Sequence, residues 1–324
     1  MEERIRYFDF IRGVAILMVV AIHTYSVGGG NVSLALRQLL NLAVPLFLAI
    51  SGFFLSRKKV NVPGAYVSFL RHQIPQIYIP CLFWSLPLFL METVMYGVCW
   101  QRLVMLFICG FSIYYFVALI IQYYLLLPLM QRFRNFQSVF CLISALSIIV
   151  VTYVVNVKGI SVPLIIYAGP APVWIAFFSL GVFLGVKPRD YKIRLYIVAT
   201  LICLTLSFFE SKYLMSFSGG GAGIKLSSFA YSYFAILVLF SNKCETFLFR
   251  ACGRFFSWIS RVGDRSYGIY LVHCYFILFF RKFYEGWNLL YWPFRWLVVV
   301  LISFVFAEVV RRLFPRFSYI SGMR

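Results

Sequence analysis

The sequence predicts an all-α, polytopic integral membrane protein, and three observations carry that prediction. Of the 324 residues, 62% are hydrophobic, 20% aromatic and only 12% charged, with a mean hydropathy of +0.88. A soluble globular domain carries about 25% charged residues, so these proportions exclude one. Apolar runs of the length that crosses a bilayer, about 17–25 residues, recur along the whole chain. The net charge of +20 is also laid out unevenly. With a cytoplasmic N-terminus, the larger share of the 30 Lys and Arg falls in connections on that side, as the positive-inside bias requires. Short basic loops without an aromatic-basic module argue against nucleic acid as a partner; the partner this layout implies is the lipid bilayer.

About ten transmembrane helices follow in order, which puts both termini in the cytoplasm. The runs are 8–27, 35–55, 77–96, 111–130, 137–155, 170–186, 194–210, 226–242, 266–284 and 291–313, the sixth and seventh being the weakest. Expected connections are Gly28 to Asn31 and Ser216 to Lys225 outside, and Ser56 to Gly64 inside. "SFSGGGAGIK" superficially resembles a phosphate-binding loop, but it lacks a preceding strand and the GK[ST] ending, so it is expected to be a flexible connector. The segment from Cys244 to Arg265 is basic and aromatic, and suggests an amphipathic helix along the cytoplasmic interface. A surface anchor explains it as well as a ligand site does. Residues 1–324 form a single transmembrane domain with no internal repeat. The basic, apolar start lacks a persuasive cleavage site, so the first run is an uncleaved span. The eight cysteines are scattered without C-x-x-C spacing and are expected to be small buried hydrophobes, with no metal site.

The first run, "RYFDFIRGVAILMVVAIHTYS", carries Asp9, Arg12 and His23. Ionisable groups inside a membrane helix are costly, and mark functional sites by default. Arg12 and His23 are eleven positions apart, which at 100° per residue returns to within about 20° of the same direction, about 16 Å along the axis. Asp9 shares that side at the i,i+3 spacing that pairs it with Arg12. One polar stripe therefore runs from the inner interface past the midplane. The plainer account is that Arg12 snorkels and His23 bonds to a neighbouring helix.

"FDFIRGVAILMVVAIH" resembles the opening signature of the membrane acyltransferase-3 family, which typically reads D-x-L-R-G-x-A, an apolar stretch and then His. "PLFLAISGFFLSRK", "YYFVALIIQYYLLLPLM", "FFSLGVFLG" and "SYGIYLVH" resemble later blocks of that family in the right order, across nearly the whole chain. The resemblance implies an O-acyltransferase in the cytoplasmic (inner) membrane of a bacterium. Its donor would be cytoplasmic acetyl-CoA or another acyl-CoA, and its acceptor a sugar hydroxyl on a surface polysaccharide or glycolipid. His23 matches the catalytic histidine and Arg12 the arginine of the same motif. A neutral imidazole can act as general base toward the acceptor hydroxyl, or take the acyl group itself as nucleophile. Arg57, Lys58, Lys59 and Arg71 can attract the donor's phosphates, or serve only the positive-inside bias.

One departure stands out. Where the family commonly shows R-x-x-R ahead of a proline, this chain reads "FLRHQIPQIYIP", with Gln73 and Gln76 at those positions. Glutamine supplies hydrogen bonds but no charge. Either Arg71 and His72 substitute, or donor handling has changed, or activity is lost. His273 either lines a substrate site with Tyr270 or makes a helix–helix hydrogen bond. Glu308 is expected to pair with Arg312 at i,i+4, and Glu92 and Glu210 to lie near outer ends. Ser51 and Gly52 are expected to serve helix packing. The chain has no large outer loop, which suggests a small or lipid-linked acceptor, or a partner protein that presents the polymer. Two alternatives from other classes are a transporter or flippase of a lipid-linked or anionic solute, and a non-catalytic scaffold.

Overall fold

A computed structural model describes residues 2–25, 30–60, 62–97, 99–187, 192–218, 223–284, 286–287 and 290–323. Every described element is helical. Seven helical stretches are long and apolar enough to cross a membrane: Arg6–Thr24, Gly30–Leu55, Pro63–Tyr96, Tyr115–Arg132, Gln137–Val157, Ile193–Phe217 and Trp292–Leu313. Ala171–Leu184 and Leu226–Leu239 are shorter apolar helices. Every one of the ten expected runs is represented by a helix, with shifted ends.

The chain forms two compact units. The first comprises Met1–Lys58, Met130–Val162 and Pro172–Asp264. It contains α1 (Glu2–Thr24), α2 (Gly30–Leu40), α3 (Ala43–Leu55), α7 (Gln137–Val151), most of α9 (Ala171–Leu184), α10 (Ile193–Ser218), α11 (Leu226–Leu239) and α12 (Asn242–Asp264). The expected second run is broken between α2 and α3. Pro45 lacks an N–H and its ring crowds the carbonyl four residues back, so the helix yields at Asn41 and Leu42. Gly30 and Asn31, expected in a loop, form the first turn of α2 instead, and Gly30 turns the chain into it with φ 69°. Gly28 and Gly29, and residues 219–222 of the expected connector, lie outside the described residues. α7 widens into a π-helical turn, Thr152–Val157, with Asn156 buried in it.

Close backbone approach organises this unit. A Cβ on Gly52 would lie 2.2 Å from the Phe178 carbonyl oxygen, and one on Gly181 2.0 Å from that of Ala49. Gly52 thus serves the packing of α3 on α9, as expected, and the Ser51 hydroxyl turns back to the Phe47 carbonyl at 2.8 Å. α12 packs along the first half of α1, with Phe10 stacked on Phe256 at 4.6 Å.

The second unit comprises Lys59–Leu129, Pro163–Ala171 and Arg265–Arg324. It contains α4 (Pro63–Tyr96), α5 (Trp100–Phe107), most of α6 (Tyr115–Arg132), α8 (Leu164–Tyr167), α13 (Ser266–Phe283), α14 (Trp292–Leu313) and α15 (Pro315–Ser321). The run expected at 77–96 begins earlier, at Pro63, whose missing N–H costs nothing at a helix start. At 34 residues α4 is longer than a bilayer core requires, so its polar beginning continues the helix outside the apolar run. The indole of Trp84 donates to the Ser321 carbonyl at 2.9 Å, docking α15 on α4.

Candidate functional site

α1 is helical through Asp9, Arg12 and His23, and these three residues have different surroundings. Arg12 donates to the Asp9 carboxylate at 2.9 Å, with the two side chains 34% and 18% exposed. The guanidinium also lies 4.9 Å from the Phe54 ring, a cation–π distance. Arg12 is therefore oriented by its own helix and by α3. His23 occupies the last turn of α1 and is half-buried. Beside it the Thr24 hydroxyl donates to the Val20 carbonyl at 2.9 Å, closing that turn.

Sequence reasoning missed the part played by Gly13, the glycine of the opening motif. A Cβ there would sit 2.1 Å from the Ile259 carbonyl oxygen of α12. Its counterpart on α12 is Gly263, whose Cβ would meet the Asp9 carbonyl oxygen at 1.7 Å and the Gly13 nitrogen at 2.6 Å. The two backbones touch where Asp9 and Arg12 are mounted, so α12 sets the position of this stretch of α1. The spacing of the motif pointed to this glycine but carried no information on what it meets, 246 positions away for Ile259.

Arg57 and Lys58 belong to the same unit as α1. Arg57 donates through Nε to the Gly185 carbonyl at 3.1 Å, and the Lys58 carbonyl accepts from Gln131 at 2.9 Å. Both side chains are exposed. Arg71, Gln73 and Gln76 belong to the other unit, on the early part of α4. There Gln76 and His72 are bonded at 2.8 Å, and Arg71 is exposed. His72 is thus tied to Gln76 one turn further on.

His273 and Tyr270 on α13 are 0% and 9% exposed. The His273 Nδ1 approaches the Tyr270 and Ile269 carbonyls at 2.8 and 3.1 Å, bonds within its own helix. Tyr270 donates to the Ile113 carbonyl at 2.6 Å, and Tyr114 returns a bond to the Leu271 carbonyl at 2.7 Å. These residues brace α13 against the turn before α6. Glu308 pairs with Arg312 at 2.7 Å as expected, and also with Arg311 at 2.9 Å and Arg265 at 3.1 Å. Glu92 lies 3.8 Å from Arg102.

A second polar cluster was not foreseen. Lys225, placed in a flexible connector by its sequence context, is fully buried against α2. Its amine donates to Gln38 Oε1 at 2.6 Å and to Ser228 Oγ at 2.7 Å. Ser207 also donates to Gln38 Oε1 at 3.0 Å, and Asn41 Nδ2 donates to Ser228 Oγ at 2.9 Å. Glu210, expected at a solvent-facing end, accepts from the Ser227 backbone N–H at 2.9 Å. Burial pushes the Lys225 amine down to about 7, with Glu210 opposing and Arg37 reinforcing that shift. Arg37 in turn lies within electrostatic reach of Tyr25, two residues past His23. The only local signal was a lysine and a glutamine bordering or interrupting apolar runs.

Among the described residues no group of His, Cys, Asp and Glu is arranged to hold a metal ion, and all eight cysteines are free. Neither a search among curated proteins nor one among solved structures returns a match to the chain. A family model described as an acyltransferase domain, that of acyltransferase-3, does match, over residues 5–308. That interval holds α1 with its Asp9, Arg12, Gly13 and His23, and it ends at the Glu308 ion cluster. The chain therefore belongs to the acyltransferase-3 family of membrane acyltransferases, enzymes that transfer acyl groups other than aminoacyl groups.

Proposed function

We propose that the enzyme moves an acyl group, acetyl in the simplest case, from cytoplasmic acyl-CoA to a sugar hydroxyl of a surface polysaccharide or glycolipid. The observation that carries this is α1, which mounts an oriented Arg12 and a half-buried His23 about 16 Å apart on one helix. In the topology proposed, α9, α11 and α13 are taken as crossings beside the seven long apolar stretches, ten in all. With an even number both termini share the cytoplasmic side, and His23 lies toward the outer half of the cytoplasmic membrane of a bacterium. A donor reaching in from one side and an acceptor from the other would then meet along α1.

In this scheme the His23 imidazole takes the proton of the acceptor hydroxyl as its oxygen attacks the thioester carbonyl carbon. The tetrahedral intermediate collapses with cleavage of the C–S bond, and the thiolate of CoA leaves and recovers the proton. Asp9 holds Arg12 in a fixed direction as a positioning residue. Arg57 and Lys58 offer exposed charge to donor phosphates, and on α4 Arg71, Gln73 and Gln76 are separate candidates for the same role. Tyr270 and His273 would then contribute to acceptor binding by bracing α13.

The test is surface-glycan O-acetyl content, measured by NMR in the host carrying the wild-type gene, a deletion or His23→Ala at matched membrane expression. An acyl signal restored by wild type and not by His23→Ala supports the assignment. Equal signals in all three would refute glycan acylation. A mass increase of one acyl group on His23, in purified protein given acetyl-CoA without acceptor, would replace the base mechanism with a covalent one.

A further inference from the structure

α12 separates its side chains by chemistry. Toward α1 it buries Phe256, Ser260, Val262 and Gly263. Its opposite face is exposed, and carries Lys243, Phe247, Arg250, Arg254, Trp258 and Arg261. At 100° per residue Lys243, Phe247 and Arg250 fall within an arc of about 60° in the first half of the helix, and Arg254, Trp258 and Arg261 within about 60° in the second. Gly253, with φ 46° and ψ −122°, breaks the helix in the middle, so each half presents its own set of cations around an aromatic ring. Phe247 is 66% exposed, and Phe255, at the edge of the second set, 75%.

Two features decide what such a face meets. Exposed rings between cations have no use in water, but fit the boundary where acyl chains meet headgroups. The four cations also lie in two pairs, Lys243 with Arg250 and Arg254 with Arg261, each about 10 Å apart along its own half of the helix, a spacing that matches separate anions rather than the clustered phosphates of one nucleotide. In the first half Glu245 lies on the opposite side of the helix from Lys243 and Phe247, and in the second Asp264 follows Arg261 at the end of α12.

We propose that the exposed face of α12 binds anionic phospholipid headgroups, their phosphates on Arg250 and Arg254 and the rings of Phe247 and Trp258 inserted beside them. The Gly13–Gly263 contact passes that seating to α1, so lipid held by α12 holds the helix that carries Arg12 and His23. The placement of α12 on the inner surface rests on the topology proposed above; lipid binding itself needs no turnover.

Trp258 is a built-in reporter. The full-length protein is reconstituted in phosphatidylcholine vesicles in which either brominated phosphatidylglycerol or brominated phosphatidylcholine is titrated. The quenching lost in Trp258→Phe is the signal of that residue alone. The expected result is preferential quenching by the anionic lipid, reduced about 30-fold in Arg250→Gln/Arg254→Gln, since each basic residue near an anionic surface contributes about 1 kcal/mol. Arg250→Lys/Arg254→Lys keeps the preference, which separates charge loss from misfolding. Equal quenching by both lipids, an unchanged preference in the double glutamine variant, or displacement of the anionic lipid by free CoA would each overturn the proposal. An enzyme that acylates no glycan, yet retains the lipid preference, would refute only the proposed function.

Discussion

Gly13→Ala tests the contact on which the geometry of α1 depends. By helix propensity alone, alanine in place of glycine inside a helix stabilises by about 1 kcal/mol. The structure reverses the sign. The new Cβ would stand 2.1 Å from the Ile259 carbonyl oxygen, and 2.9 Å from its carbon. Carbon–oxygen contacts settle near 3.3 Å or more, so α12 has to retreat by about 1 Å. The obstacle is backbone, which no rotamer change can clear. Overpacking of this kind costs about 1–3 kcal/mol, and more where backbone must shift. The net effect is destabilisation of about 1–2 kcal/mol, a fall in Tm of a few °C for a chain of this size. Gly263→Ala, with its Cβ 1.7 Å from the Asp9 oxygen, falls further. Gly64→Ala is the control, because nothing lies within 4 Å of its Cβ. The assay is thermal unfolding of purified protein in detergent, read by exposure of the buried cysteines to a thiol-reactive dye. A Tm for Gly13→Ala equal to or above wild type, alongside an unchanged Gly64→Ala, would refute the backbone contact.

Three further outcomes are expected. Lys225 has its amine at about 7 in the folded protein against an ordinary 10.5, so between those values the unfolded chain binds a proton the folded chain lacks. Stability should therefore rise with pH from about 7 towards 10.5, by up to about 1.4 kcal/mol per unit; Lys225→Met should flatten that slope in Tm measured from pH 7 to 9, and a slope that persists would remove Lys225 as its source. His273→Leu should lower Tm by loss of its bonds to the α13 backbone while acyl transfer stays within about threefold of wild type. A loss near the 10²–10⁴-fold expected for removing a general base would instead put His273 in the chemistry. Glu308→Gln leaves Arg265, Arg311 and Arg312 facing one another without their shared carboxylate; the pairs are partly exposed, so the cost should be about 1–2 kcal/mol, between surface and buried values, read as a lower Tm that high salt partly restores.

The helices and their approximate places were legible because a bilayer imposes them locally. Each spanning segment must satisfy its own backbone and face hydrocarbon, so an apolar run of set length suffices to reveal it. Errors gathered where local rules compete. The break at Asn41 follows from Pro45, visible in the sequence but outweighed there by the length of the apolar run. The early start of α4 lies in a stretch too polar to register as a span, though its helix continues. The pairing of Asp9 with Arg12 was legible too, because helical periodicity alone sets two residues at i,i+3 side by side.

Whatever joins distant segments was not legible. Lys225 meets Gln38 across 187 positions, and its burial reverses the expectation of a mobile connector. For Tyr270 and His273 the sequence left a site role and a structural hydrogen bond open, and it named neither the Ile113 carbonyl nor the α13 backbone as their partners. Gly13 carries no side chain from which a role could be inferred; its meaning is the Ile259 carbonyl on the other side of a helix contact. The sequence by itself therefore determined the solvent, the helical class and the polar face of α1, which are properties of composition and period, while the order of its motifs carried the resemblance to the family. Only the tertiary structure decided which polar groups are satisfied, which helix positions α1 and which charges stay exposed, because those depend on contacts between segments whose separation along the chain sets no distance in space.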